Sequence, residues 1–284
     1  MIELVHGDWR LDVAPHLGGS IARLRWRDID VLRPVPTGSH EVLESGCFPL
    51  VPYANRIANG RFIFGGRNVE LAVLPAFAPH ALHGEGWQKP WDVLDSEEGS
   101  IVLIYRHAAG AWPWVYEAKQ TFAVVDDRLR IDLSLANASD EPMPAGLGFH
   151  PYFPVTGDTR LNLPATGVWA LGEDEIPTML EPVGSVFDWS EGPQVADAPF
   201  VDHCYSGWDD RAELTSARIQ MTVTASDNAR WAHVFAPGGA FCCIEPVTHR
   251  PDAVHAPTDE NSGLTVLAPG ETMSIWMEIA VSPA

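Results

Sequence analysis

Positive charge is scarce in this chain: 18 lysines and arginines stand against 38 aspartates and glutamates, a formal net charge of -20. Nucleic acid and anionic membranes both need a cationic face, so neither is expected as a partner. Heavily phosphorylated ligands are disfavoured on the same ground, although a local arginine pocket can hold one phosphate. Cysteine is sparse as well. Cys47, Cys204, Cys242 and Cys243 show none of the C-x-x-C spacing of zinc or thioredoxin-like sites. Cys242 and Cys243, being adjacent, point to opposite faces if they lie on a strand. All four read as small buried apolar residues, free thiols of a reducing compartment. No apolar run approaches the ~20 residues of a membrane helix. The opening Met1-Ile2-Glu3-Leu4 lacks a basic start and Asp8 interrupts any apolar stretch, so no signal peptide is expected. These absences together predict a soluble cytoplasmic protein.

Helical signals are missing too, since no segment sustains three turns of 3.6-residue periodicity with caps. Period-2 alternation is abundant instead. Leu129, Ile131, Leu133 and Leu135 alternate with Arg130, Asp132 and Ser134, and Ile219, Met221, Val223 and Ala225 with Gln220, Thr222 and Thr224. Met273, Ile275, Met277, Ile279 and Val281 repeat the pattern. Such regularity marks half-buried strands, and the 24 glycines and 24 prolines punctuate many short ones. The expected fold is all-β, a large antiparallel β-sandwich or barrel built as one domain over residues 1–284. Phe48-Pro49-Leu50-Val51-Pro52-Tyr53 is too proline-rich for a central strand and is expected as a loop leading to Asn55 and Arg56. Leu267-Ala268-Pro269-Gly270-Glu271 is expected as a hairpin turn between the last two strands. The acidic, proline-rich stretch 172–198 is expected as a long surface excursion.

Chemistry-bearing residues gather at two X-Pro positions. Gly148-Phe149-His150-Pro151-Tyr152-Phe153 puts an imidazole on extended backbone, because the residue before a proline is pushed out of the helical region. Glu245-Pro246 follows the apolar run Phe241-Cys242-Cys243-Ile244 in the same way. Taken alone, His150 is a buried strand-end histidine and Glu245 a carboxylate at a strand end. Taken together they suit general acid-base chemistry, since an ordinary imidazole titrates at about 6.5 and an ordinary glutamate at about 4.3, which lets one donate and the other accept near neutrality. Arg56, His83 and Asp202 also sit in glycine-, proline- or aromatic-rich settings. In His80-Ala81-Leu82-His83-Gly84-Glu85-Gly86-Trp87, His80 is expected to face solvent. The paired histidines lack a zinc spacing, so no metal is expected. No serine nucleophile elbow, phosphate-binding glycine loop or dinucleotide fingerprint competes, and no cofactor is expected.

The segments Asn55-Arg56-Ile57, Leu82-His83-Gly84, Gly148-Phe149-His150-Pro151-Tyr152-Phe153, Asp202-His203 and Ile244-Glu245-Pro246, in this order, resemble the aldose 1-epimerase (galactose mutarotase) family over effectively the whole chain. The resemblance implies a galactose mutarotase-like supersandwich with a sugar cleft across one sheet and no metal. It implies Glu245 as the base that removes the C1 hydroxyl proton and His150 as the acid that protonates the ring oxygen. Arg56, His83 and Asp202 would bind hydroxyls, with Trp87, Tyr152, Trp208 and Phe241 as candidates to pack on the sugar. His83 is followed by Gly84-Glu85-Gly86 rather than a glycine pair, and Val247 follows Glu245-Pro246 where galactose enzymes often carry glutamine, which leaves the sugar open. The expected partner is a neutral monosaccharide and the expected assembly a monomer or homodimer. A hexose 6-phosphate mutarotase would need an arginine cluster, for which Arg56, Arg61, Arg230 and Arg250 are available. A non-catalytic sugar-binding module on the same fold would be expected to lack the acid or the base, and both are present. His233 and His249 lie near Glu245 in sequence and either belong to the site or flank it.

Overall fold

In Arg128–Asn137 the alternation becomes a layer boundary. Leu129, Ile131, Leu133 and Leu135 are buried, while Arg130, Asp132 and Ser134 between them are half-buried. Thr272–Pro283 and Ile219–Ala225 behave the same way. They pair antiparallel, Leu133 opposite Ile275 and Val223 opposite Ile279, which sets their apolar halves on one side of an eight-stranded sheet. The computed structural model describes residues 1–284 and places a second, eleven-stranded sheet over that side. Trp9, Leu11 and Leu24 of the larger sheet share one cluster of 59 buried residues with Leu129, Ile131 and Leu133 of the smaller. The result is an all-β antiparallel sandwich whose helical turns are short 3₁₀ segments.

The strand Gly148–Pro154 lies in the middle of the larger sheet and is buried on both faces. Phe149 and Phe153 point into the sandwich core. His150 and Tyr152, offset by one residue, must point the other way. On that outer face Tyr152 joins a second cluster of 10 buried residues with Phe48, Trp87, Trp169, Trp231 and Cys243. This aromatic layer lies under the candidate site.

Three expectations are corrected. Cys47–Leu50 is a central strand, between Ser20–Trp26 and Gly148–Pro154. Pro49 is tolerated there because the Ser20–Trp26 strand pairs with it only at Ile21 and Cys47, so Pro49 has a ladder on one side only. The 267–271 turn is not a hairpin: Thr265–Leu267 pairs with Met143–Ala145, not with the strand that follows it. The 172–198 stretch is not all excursion, since Pro177–Glu181 pairs with Gly167–Leu171 and forms one edge of the larger sheet. The four cysteines are buried and unpaired, as expected.

The two faces of Arg128–Asn137 should respond differently to truncation. Leu133→Ala should cost about 3 kcal/mol, because the surrounding sheets cannot collapse onto the void. Ser134→Ala, on the solvent side, should change stability by less than about 0.5 kcal/mol. Urea unfolding midpoints compare the two directly.

Candidate functional site

His150 and Glu245 stand opposite each other on neighbouring strands. Gly148 pairs with Val247 and Tyr152 with Cys243, and between these points the ladder is broken. The two prolines that follow His150 and Glu245 both fall in this gap, and neither has an N–H to donate. The gap leaves the two side chains facing one another on the outer face, with His150 Nε2 3.4 Å from a Glu245 carboxylate oxygen. The same cross-strand row continues on both sides. Phe48 pairs with His150, Glu245 with His233, and His233 with Cys204. Two residues along, Tyr152, Cys243, Phe235 and Asp202 form a parallel row of the same face.

The remaining site residues arrive on a loop stapled by imidazoles. The backbone N–H groups of Ala54, Asn55 and Asn59 donate to His249 Nε2 (3.0 Å), His83 Nδ1 (2.9 Å) and His80 Nδ1 (3.0 Å). Ala58 N–H donates to Asp252 (2.8 Å). A loop this close to the sheet cannot leave its donors unpaired, and here side chains take the place of a ladder. Asn55 and His83 both have positive φ, and His83 N–H returns a 2.9 Å bond to the Asn55 carbonyl. Gly84 permits this approach, because a Cβ there would lie 2.3 Å from the Val51 carbonyl oxygen. Since His83 Nδ1 accepts from Asn55, its Nε2 carries the proton and is a donor toward the cleft. His80 is therefore buried, not solvent-facing, with Nε2 donating to the Asp174 carbonyl at 2.8 Å.

All five residues singled out from the sequence, Arg56, His83, His150, Asp202 and Glu245, line one cleft of about 260 Å³. Asp202 accepts from His233 (2.6 Å) and from Arg56 (3.1 Å), and Arg56 also donates to Glu175 (2.8 Å). Thus the 172–198 segment reaches the cleft rim. A larger hollow, about 650 Å³, lies by Asp12, His16 and His40, but its ionisable groups are exposed or half-buried and none is paired across it.

Burial dominates the electrostatics. It raises Glu245 well above the usual carboxyl range, helped by Asp202 and opposed by Arg56. Burial, then His233, lowers His150 to about 3. His83 is held well below an ordinary histidine by burial and then by His150. Burial alone would raise Asp202, but the His233 hydrogen bond and Arg56 outweigh it and hold that carboxyl low. Both members of the opposed pair therefore favour their neutral forms, Glu245 with its proton and His150 without one. Each also keeps one buried polar atom without a hydrogen-bond partner, Glu245 Oε2 and His150 Nδ1.

His83, His150 and Glu245 bring ligand-type atoms within 4.8 Å of one another. The set does not fit a three-ligand metal site: a lone pair on His83 Nε2 would require a proton on Nδ1, against the Asn55 N–H.

His233 belongs to the site, while His249 stays behind it and supports Ala54. The signal for His233 was the short turn between Trp231–Ala236 and Phe241–Val247, which forces His233 opposite Glu245. Arg33, missed in the sequence, also lines the cleft, its guanidinium 3.8 Å from the Tyr152 ring centre. Nothing near it in sequence marks it. Arg61, Arg230 and Arg250 lie elsewhere: Arg61 pairs with Glu70, Arg230 stacks on Trp231, and Arg250 on Trp169. Of the proposed aromatics, Tyr152 and Phe241 line the cleft. Trp87 stacks behind Phe48, and Trp208 is buried in the core with Nε1 on the Ala229 carbonyl.

The aldose 1-epimerase family profile matches residues 1–280. The chain is 32% identical to YphB of Escherichia coli K12, a protein named as uncharacterized, over 98% of this chain and 97% of the relative. The aldose 1-epimerase of the same organism is 27% identical over 53% of this chain and 46% of the enzyme. Among solved structures, an aldose 1-epimerase candidate from Escherichia coli K12 superposes with a TM-score of 0.90 at 30% identity, covering 99% of this chain and 98% of that one. A galactose mutarotase-like protein from Clostridium acetobutylicum gives 0.88 at 18% identity over 99% and 95%.

The buried histidines should make the fold acid-sensitive. Unfolded histidine titrates near 6.5, whereas folded His150 and His249 titrate at about 3 and about 4. Below pH 6.5 the unfolded chain takes up protons that the folded chain refuses, so stability falls with falling pH, by up to ~1.4 kcal/mol per unit for each histidine. Glu245 acts in the opposite sense: it holds its proton more tightly folded, so its contribution is lost as pH rises above the unfolded value of about 4.3. Urea midpoints should therefore decline on the acid side of about pH 6.5. His249→Asn should flatten that decline and Glu245→Gln should remove a decline on the alkaline side. Profiles parallel to wild type would contradict the assignment.

Proposed function

Because this chain belongs to the aldose 1-epimerase family, we propose that residues 1–284 act as one cofactor-independent mutarotase that interconverts the α and β anomers of a free neutral aldose. The observation that carries this reading is the opposed pair, a buried histidine and a buried glutamate 3.4 Å apart that both line the cleft. Glu245 first passes its proton to His150 across the 3.4 Å between them; as carboxylate it then takes the proton from the C1 hydroxyl while His150, as imidazolium, gives one to the ring oxygen. The C1–O5 bond breaks, C1 becomes an aldehyde carbon, and rotation about C1–C2 exposes its other face. Reclosure reverses both transfers and returns each proton.

Ring opening converts the charged pair into the neutral one, with Glu245 protonated and His150 free. This is the form that burial favours. Burial thus opposes formation of the charged pair and favours its discharge as the ring opens, and the pair needs no separate proton donor. His83 Nε2–H and Arg56 would donate to hydroxyls, and Asp202, already held by His233 and Arg56, would accept with its remaining lone pairs. Tyr152, stacked on His150 at 4.7 Å, would keep the imidazole aimed.

A second reading rests on Arg33. It is the cleft arginine with no carboxylate partner, its Nε is buried and unpaired, and it sits over Tyr152. That favours a sugar with an anionic group remote from C1, such as a hexose 6-phosphate, held by one arginine rather than a cluster.

Polarimetry and NMR exchange on freshly dissolved galactose, glucose, xylose, arabinose, fucose and glucose 6-phosphate test both readings. Glu245→Gln and His150→Asn should each lower kcat by about 10²- to 10⁴-fold. Undiminished exchange in both variants would refute the mechanism, and loss of exchange on exhaustive chelation would refute metal independence. If the second reading holds, Arg33→Gln should weaken glucose 6-phosphate turnover selectively; equal effects on glucose would dismiss it.

A further inference from the structure

Beyond the Arg56–Asp202 pair the cleft opens into a second hollow of about 530 Å³. The two spaces share Arg56, Phe77, Asp202 and Phe235 as a common wall. The first, about 260 Å³, is small for a ligand pocket and suits a single sugar ring. A ring bound there leaves the second hollow open.

The lining of the second hollow has its own character. Phe200 is 63% exposed, unusual for so large an apolar side chain beside a cleft, and it meets Phe235 edge-on with ring centres 6.1 Å apart. The same hollow is lined by the acidic turn Glu173, Asp174 and Glu175, between Gly167–Leu171 and Pro177–Glu181. The turn is tied down from both sides. His80 Nε2 donates to the Asp174 carbonyl at 2.8 Å, and Arg56 donates to Glu175 at 2.8 Å. The hollow thus combines an aromatic platform with carboxylate acceptors. A pyranose presents the matching surfaces, an apolar C–H face and a rim of hydroxyl donors. An anionic unit is disfavoured, because the hollow's one arginine, Arg56, already holds two carboxylates.

We propose that this hollow is a subsite for a second neutral glycosyl unit, so that the sugar presented to His150 and Glu245 is the reducing end of an oligosaccharide. The proposal rests on the mutarotase reading of the first cleft for its catalytic consequence, but the binding it predicts is separate. Phe200 lines the second hollow and not the first, so its substitution addresses the second unit.

Calorimetric titration of maltose, cellobiose, lactose and gentiobiose against glucose and galactose measures the binding, and NMR exchange measures anomer interconversion on the same samples. At least one disaccharide should bind about fivefold more tightly than its reducing monosaccharide, the scale of one aromatic contact. Phe200→Ala should erase that margin and leave monosaccharide binding and exchange unchanged. Phe200→Trp, which restores a platform, should keep it. Disaccharides binding no better than monosaccharides, or Phe200→Ala weakening both alike, would overturn the subsite. A Phe200-dependent margin without anomer exchange would uphold the subsite and refute the mutarotase reading; exchange without the margin would do the reverse.

Discussion

A histidine and a glutamate face each other across two strands that, at that one point, do not hydrogen-bond. Antiparallel ladders usually hold neighbouring backbones through alternating pairs of N–H donors and carbonyl acceptors. Pro151 and Pro246 withdraw two of those donors, and the gap between Gly148–Val247 and Tyr152–Cys243 is where His150 and Glu245 meet. Because the rest of both strands is paired and buried, the side chains cannot turn away. Their burial then decides their chemistry, shifting both toward the neutral form. The destabilisation this implies is tolerable because the other face of the same strand inserts Phe149 and Phe153 into the 59-residue core.

The second constraint is the loop that roofs the cleft. Its donors at Ala54, Asn55, Ala58 and Asn59 are all satisfied by side chains from distant positions, three of them histidines. Each N–H accepted by a histidine fixes its tautomer. His83 thereby becomes a donor toward the cleft and, for the same reason, a poor metal ligand. Arg56, carried by this loop, bridges it to Asp202 on the sheet and to Glu175 on the outlying hairpin, so loop, sheet and hairpin meet at one guanidinium.

Much of this was legible in local pattern. The alternating runs around Leu133, Val223 and Ile279 declared half-buried strands, and the two X-Pro positions marked His150 and Glu245 as residues with constrained directions. Pattern failed where the answer depended on a neighbour distant in sequence. Phe48-Pro49-Leu50 looked unfit for a sheet interior, and only the early end of the Ile21 ladder makes Pro49 acceptable. His80 looked like a polar loop residue, yet its two ring nitrogens are both spoken for, by Asn59 and Asp174. Arg33 has no local mark at all. It reaches the cleft because its strand neighbours bring it over Tyr152, far along the chain.

The period of the strands, the positions of the backbone breaks and the residue types able to move a proton were all set locally, because each depends on a residue and its immediate neighbours. Folding had to supply the rest: that His150 stands opposite Glu245, which tautomer His83 adopts, and that the cleft continues past Arg56 toward Phe200. Those are properties of register and of burial. Register is set by pairing between strands far apart in the chain, and burial by what the opposite sheet and the roofing loop exclude.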